Sequence, residues 1–416
     1  IINAIYTRCG KNPLYYWSYE PLAEATRYFW PEDGTEYVMP VGQTRIERSI
    51  VHAFSEKPKK VHAYFKKTTT AYKAAAPLYL DTPVQVRSLL RPRSLVAAMR
   101  ILPLLVRSLQ RRNAAYFLNT KTVQLFNRFA TYSGSNPYRT PAISGFASMP
   151  EITDGVYAPH GGMRAIADGL YALTTDLGVR YQWNEKVTAI KHTNNTAHVV
   201  RAGKHEYPCD YIVYAGDYAR LYSLLGNVKA QQVSRRPERS TSAVVFYWEV
   251  KGTFKRFGLH NIIFSSDYQH EYEQLSRGDV PDDPTLYINV TCKVEPSHAH
   301  KGTENWFVMV NVPAGTKEVA VLALKEIVRA KLETVFGGYI TILNEDYLSP
   351  ARLDAQTGAW HGAIYGQATN SVAALLRRPK NRIRTPSNII AVGGTVHPGG
   401  GIPLVVRSAI IATESL

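Results

Sequence analysis

The chain has 416 residues, 45% of them hydrophobic, and a formal net charge of +16. That length supports two or three compact units with a sizeable core, and the composition argues against global disorder. The charge favours an anionic partner (nucleic acid, an anionic membrane surface or an acidic ligand), while three scattered cysteines, Cys9, Cys209 and Cys292, argue against a disulfide framework or CxxC zinc site and fit a reducing cytoplasm.

In chain order, the first eighty residues read as helical and aromatic: Tyr15-Tyr16-Trp17, Tyr19, then Tyr28-Phe29-Trp30. The stretch Tyr28–Tyr37 predicts a hairpin around Asp33-Gly34. Most of these rings are expected to pack together, and some to line a slot for a long apolar ligand.

From Thr82 to Pro150 there is no acidic residue, while Arg87, Arg91, Arg93, Arg100, Arg107, Arg111 and Arg112 crowd the first half. At about 100° per residue, Leu95, Met99, Leu102, Val106 and Leu109 form one stripe. Arg93, Arg100, Arg107 and Arg111 lie opposite, and Pro103 is expected to kink the helix. A cationic amphipathic segment of this kind suits a membrane interface, with leucines among acyl chains and arginines at phosphates. Nucleic acid is disfavoured, because no nucleic-acid-binding motif is present and the arginines alternate with aliphatic residues rather than stacking aromatics. No run reaches the ~20 apolar residues of a membrane span.

Phe126–Pro141 reads as a helix ending in a Ser-Gly-Ser-Asn-Pro turn. Gly155–Gly162 leads into a predicted helix from Met163 to Leu177, stopped by Gly178. Strands are expected at Arg180–Trp183, Lys186–Lys191, Ala197–Arg201 and Tyr211–Ala215. Longer alternating strands follow at Ser242–Val250, Leu286–Lys293 and Trp306–Val312, as in a sheet with one covered face. The pair His298 and His300 reads as an exposed loop rather than a metal site. A helix is predicted over Glu318–Phe336, with apolar spacing at Val319, Leu322, Ile327 and Leu332. Gly358–Gly366, GAWHGAIYG, offers small residues for close backbone approach.

The most informative stretch comes last. Asn388–Val392 predicts a strand. Gly393-Gly394, Thr395-Val396-His397, Pro398 and Gly399 to Gly401 follow, then Ile402-Pro403 opening a helix. Strand, glycine turn and helix let backbone N–H groups approach an anionic or ring-shaped ligand.

The segment GGTVHPGGGIP closely resembles the C-terminal signature of the bacterial-type phytoene desaturases, FAD-dependent carotenoid desaturases. FNRFATYSGSNPYRTP, the Pro159-His160-Gly161-Gly162 step and GAWHGAIYG resemble further landmarks of that family. The stretch Glu304-Asn305-Trp306-Phe307 is more similar to its hydroxycarotenoid 3,4-desaturase branch. The resemblance covers the chain from about Tyr28 onward.

The resemblance implies an α/β (mixed α+β) two-domain flavoprotein: an incomplete Rossmann-like FAD domain, a mixed-sheet substrate domain and a helical membrane-associating region. Residues 1–150 would form a helical substrate region with the basic segment 84–115. Residues 151–235 and 356–416 would belong to the FAD domain, and 236–355 to the substrate sheet. FAD contacts are expected from Val187, Ala215, Gly216, Gly393, Gly394, Thr395, Pro398, Gly399, Gly400, Gly401, Ile402 and Pro403. The substrate would be a carotenoid, phytoene or a hydroxylated carotene, and the enzyme cytoplasmic, on the inner membrane surface. His361, His397 and Asp217 are candidates for a catalytic base, and no metal or nucleic acid is expected. The family's G-x-G-x-x-G is missing, so the chain is expected to be an N-terminally truncated fragment that alone binds FAD poorly. Alternatives are a related flavoprotein, such as a carotenoid isomerase or an amine oxidase, and a non-catalytic basic protein on membrane or nucleic acid.

Overall fold

The computed structural model describes residues 1–79 and 92–414. A short strand β1 (Tyr19–Pro21) leads into a hairpin, β2 (Glu24–Trp30) and β3 (Thr35–Pro40). It turns where the sequence indicates, with Gly34 at φ 71° and Asp33 Oδ1 accepting from the Thr35 N–H. Helices Gln43–Phe54, Pro58–Tyr79, Pro92–Val106, Leu109–Tyr116 and Thr120–Asn127 follow. Then come β4 (Tyr157–Pro159), the helix Arg164–Asp176, β5 (Val187–Thr193), β6 (Thr196–Ala202), β7 (His205–Pro208) and β8 (Ile212–Tyr214). After helices Tyr218–Leu224 and Val228–Arg235 the chain forms β9 (Ser242–Lys251), β10 (His260–Ile263), β11 (Leu286–Asn289) and β12 (Thr303–Val312). The helix Glu318–Phe336, β13 (Ile342–Leu348), β14 (Ile389–Ala391) and the helix Ile402–Thr413 complete the order.

The main sheet has seven strands in the order β13-β9-β12-β11-β10-β2-β3. Its pairs are antiparallel except β10 beside β2, so the early hairpin becomes the edge of a sheet built mostly from 242–348. Alternation along β12 is strict. One face, with Val244, Phe246, Trp248, Val250, Ile288, Val308 and Val310, is fully buried. It meets Val321, Leu324, Val328, Leu332 and Val335 of the helix Glu318–Phe336. The helix bounds agree with the sequence, but its inward face does not: Val319 and Leu322 are exposed. This helix is apolar on more than one side, so spacing alone was ambiguous. Each buried aliphatic side chain contributes roughly 1.5–3 kcal/mol, and the sheet selects the face that buries most.

A second unit contains β5-β6-β7 and the parallel pair β8–β14, around Ile190, Ala197, Ile212, Leu221 and Ile389. The strand expected at Arg180–Trp183 is not formed. Among the described residues no strand lies beside it, and Tyr181 and Trp183 stack on each other at 5.3 Å. The strand expected to reach Lys293 stops at Asn289, and Thr291–Lys293 coils into a 3₁₀ turn.

The basic segment also departs from its expected register. Arg87 and Arg91 lie outside the described residues. The helix Pro92–Val106 carries Pro103 inside it and exposes Met99, Leu102 and Val106, with Arg100 beside them. Leu109 is not part of that stripe. Ser108 caps a new helix, its hydroxyl accepting from the Arg111 N–H, and Leu109 turns fully inward. Arg112 is also buried, donating to Thr68 Oγ1 and stacking on Tyr64. Arg107 and Arg111 are exposed. Among the described residues no helix is long and apolar enough to cross a membrane.

Candidate functional site

The parallel strands β8 and β14 run in register, Ile212 beside Ile389 and Tyr214 beside Ala391. Their carboxyl ends therefore emerge together, the position where open α/β sheets bind ligands. One loop is Ala215-Gly216-Asp217. The other is the glycine turn from Gly393 to Gly401, whose first residue passes within contact distance of the Ala215 carbonyl. Thr395 Oγ1 accepts from the Tyr218 N–H at 3.0 Å and ties the two loops together.

Buried polar side chains hold the turn from inside. The Arg378 guanidinium, 6% exposed, donates to the carbonyls of Val396, Tyr365 and Gly394. Asn381 Nδ2 donates to the Ala391 and His397 carbonyls and to Ser408 Oγ. Ser408 Oγ also accepts from the Gly393 N–H at 3.1 Å. These bonds consume carbonyls on the inner side of the turn, with Gly399 buried, Gly393, Gly394 and Gly400 half-buried and Gly401 exposed. Gly393, Gly399 and Gly401 all have positive φ. Gly401 starts the helix Ile402–Thr413 without a side-chain cap, and Pro403 lies in its first turn. Pro403 has no N–H, and Leu404 and Val405 donate back to the Gly401 carbonyl, so the Ile402 N–H is the donor this helix start can offer a ligand.

Tyr365 lies against the turn. A methyl group on Gly400 would fall 2.1 Å from Tyr365 Cδ1, and one on Gly134 3.0 Å from Cδ2, so the ring is packed between two bare glycines. The Tyr365 N–H donates to Ser240 Oγ. Burial raises the pKa of its phenol. The other face of the main sheet is not open throughout, as alternation suggested: Ile262, Tyr28 and Trp30 bury it under a second core at the β10-β2-β3 end. Nearer β9 and β12 it presents exposed Tyr247 beside half-buried His260, Tyr287, Asn289, Phe307 and Met309, with Val245 buried. Phe307 meets Tyr247 at 5.7 Å and Tyr287 at 6.2 Å between ring centroids.

The three candidate bases occupy different places. Asp217 is 7% exposed; its Oδ1 accepts from the Ala219 N–H and its Oδ2 from the Trp360 N–H. His361 is exposed, bonded through its backbone to Gly315, on the wall of a cavity of about 370 Å³ that also touches Arg239, Ser240 and Tyr272. His397 is inside the glycine turn and 4% exposed. Val187 begins β5, at some remove along the chain from the turn but in the unit that packs on β8.

Several residues of this region carried little sequence signal. Ser408 is a hydroxyl in the middle of a mostly apolar helix, and Arg128 a lone cation inside an aromatic run; both patterns were available. Arg378 and Asn381 sit in a polar stretch where nothing marks them.

Comparison with known proteins agrees with this arrangement. Residues 26–415 match the family described as flavin containing amine oxidoreductase. The chain is 35% identical over 399 residues to a 1-hydroxycarotenoid 3,4-desaturase of Flavobacterium sp. (strain P99-3), covering 94% of this chain and 81% of that protein. It is 26% identical to a hydroxyneurosporene desaturase of Rhodobacter capsulatus, over 100% of this chain and 85% of the other. Among solved structures, an oxidoreductase from Methanosarcina mazei superposes with TM-score 0.60 at 12% identity, covering 97% and 85% of the two chains. A putrescine oxidase superposes with TM-score 0.57 at 10% identity, covering 99% and 83%. The strand-turn-helix at residues 389–413 and the sheet above it are therefore parts of a known architecture, and the chain belongs to the flavin containing amine oxidoreductase family.

Proposed function

We propose that this chain is an FAD-dependent carotenoid desaturase acting in carotenoid biosynthesis. The observation that carries the reading is the bare glycine turn at the carboxyl ends of β8 and β14, opening at an uncapped helix N-terminus. The desaturase names of the relatives give the substrate class.

The residues present fit a flavin. Gly401 exposes backbone with no side chain to fend off a flat ring, beside Gly400 under the Tyr365 ring, and the Ile402 N–H at the start of the helix Ile402–Thr413 suits the flavin's electron-rich edge. Gly393, Gly394, Thr395, Pro398, Gly399, Gly400, Gly401, Ile402 and Pro403 would hold the ring. Val187, Ala215 and Gly216 would lie toward the nucleotide end. The sequence contains no G-x-G-x-x-G for the diphosphate. When bound, the flavin supplies what no side chain can, acceptance of a hydride from a C–H bond beside a conjugated chain.

The protein's own part is alignment and exclusion of water. Tyr247, Tyr287, Phe307 and Met309 form an apolar, aromatic platform along which an extended polyene can lie. Asp217 is a positioning residue, because both carboxylate oxygens are committed to backbone N–H groups. His397, the one candidate inside the turn, is the residue we retain for accepting the second hydrogen as a proton.

The enzyme would work at a bilayer surface, where such substrates dissolve, peripheral on the inner membrane. Met99, Leu102 and Val106, exposed in a row on the helix Pro92–Val106, would enter the acyl region, with Arg100, Arg107 and Arg111 at the phosphates.

The test is anaerobic mixing of flavin-loaded protein with a carotenoid in vesicles. Bleaching of the flavin together with a product absorbing at longer wavelength is expected. A changed carotenoid spectrum with the flavin still oxidised would make the protein an isomerase.

A further inference from the structure

Arg128 is a cation in the middle of the run Phe126-Asn127-Arg128-Phe129, and it is 5% exposed. Its guanidinium lies among the rings of Tyr28, Phe129 and Tyr132, at 5.5, 4.6 and 5.4 Å from their centroids. One terminal nitrogen donates to Tyr28 Oη at 2.9 Å and the other to Tyr132 Oη at 3.2 Å. Tyr132 in turn donates to Glu151 Oε2 at 3.0 Å. The remaining groups of the pair are Arg128 Nε–H and Glu151 Oε1; both are buried, and neither has a hydrogen-bond partner. The closest approach of Glu151 Oε1 to the guanidinium is 4.0 Å. A buried donor and a buried acceptor on neighbouring side chains thus stand unpaired, where such groups are normally satisfied.

The pair lies near enough to the sheet for the Arg128 charge to act on His260, and packing contacts join it to the turn. His260 and Asn289, opposite one another in β10 and β11, lie half-buried on the same sheet face as Tyr287, and His260 Nδ1 contacts Tyr287 Oη at 2.8 Å. Tyr287 touches Phe307. In the other direction, the 3₁₀ stretch Arg128–Ser133 ends at Gly134, which packs on Tyr365, which packs on Gly400.

Resting on the desaturase reading above, we propose that Arg128 and Glu151 form the seat for a hydroxyl group on the polyene substrate. A hydroxyl both donates and accepts, so it can take the Arg128 Nε–H and give its proton to Glu151 Oε1 at once. A pure hydrocarbon can do neither. A ketone would leave Glu151 unpaired, an ammonium group would face the Arg128 charge, and a carboxylate would face Glu151. Anchoring the hydroxyl also fixes which carbon–carbon bond lies over the flavin, so the seat acts as a ruler. Sites that hydrogen-bond a substrate hydroxyl reject the analogue lacking it far more strongly than apolar pockets reject a missing methylene.

The experiment compares kcat/KM of the flavin-loaded protein for a 1-hydroxylated acyclic carotene and for the same polyene without the hydroxyl. The wild type is expected to prefer the alcohol by more than about 100-fold. The near-isosteric Glu151→Gln is expected to cut that preference at least tenfold, and Arg128→Lys likewise. Flavin absorbance and thermal unfolding are followed in every variant, and Glu151→Gln stands alone if Arg128→Lys does not fold. Equal turnover of both substrates by the wild type, or an equal loss on both in the variants, would overturn the seat while leaving the desaturase reading intact. Turnover of neither would bring down both.

Discussion

A methyl group at Gly400 would meet the Tyr365 ring at 2.1 Å, well inside any real carbon–carbon contact. Gly400→Ala must therefore push Tyr365 out of its packing, a kind of overfilling that typically costs 1–3 kcal/mol. The same displacement disturbs the surface offered to the flavin. We expect Gly400→Ala to lose most flavin absorbance, and Tyr365→Ala in the same chain to restore stability, a coupling that a double-mutant cycle in urea would measure. Additive losses would mean that the two residues do not meet. His260 gives a second test at this scale. Burial first, then the charge of Arg128, press its pKa down to about 4 from 6.5. Arg128, Tyr287 and Asn289 are the charged and polar groups around it. The unfolded chain binds the proton more readily than the folded one between these values, so stability falls as pH drops from about 6.5 to 4. In His260→Gln the melting temperature should decline less over that window than in the wild type, and an equal decline would place the imidazole in water.

At the scale of elements, the helix Pro92–Val106 is held on its inner side by Leu104 against Ala71 and Ala142, which leaves Met99, Leu102 and Val106 free to face a bilayer. Replacing Met99 and Val106 by glutamate should release the protein from anionic vesicles without lowering its unfolding temperature, since neither side chain is packed. Unchanged co-sedimentation would remove the interfacial role. This helix also marks what the sequence made legible. Its amphipathic stripe was readable from 100° periodicity; its end was not, because Ser108 capping the next helix is a local hydrogen bond that competes with periodicity. Strand alternation in β12 was readable because alternation has two choices, whereas the all-round apolar helix Glu318–Phe336 has several inward faces; in β9 alternation fails at the start, where Ser242 to Phe246 are buried on both faces. The glycine turn was legible as a turn, and its internal clamp was not. Thr395 reaches a residue 177 positions away, and Arg378, Asn381 and Ser408 converge only once β14 is laid beside β8.

Taken as a whole, the molecule combines a net charge of +16 with the exposed apolar face of the helix Pro92–Val106. The two features make separable contributions to surface binding. The charge acts over distance and is screened, with a Debye length of about 10 Å at 0.1 M salt falling to about 3 Å at 1 M. The burial of Met99, Leu102 and Val106 in lipid acts only on contact and is indifferent to salt. Long-range attraction should therefore set how fast the protein reaches an anionic vesicle, and the helix how long it stays. Stopped-flow binding to vesicles with and without anionic lipid would separate them. The association rate on anionic vesicles should fall steeply as salt is raised, while the dissociation rate changes little. In Met99→Glu/Val106→Glu the pattern should reverse, with association nearly kept and dissociation much faster. An association rate independent of salt would mean that the positive charge is spread over faces that never approach the membrane.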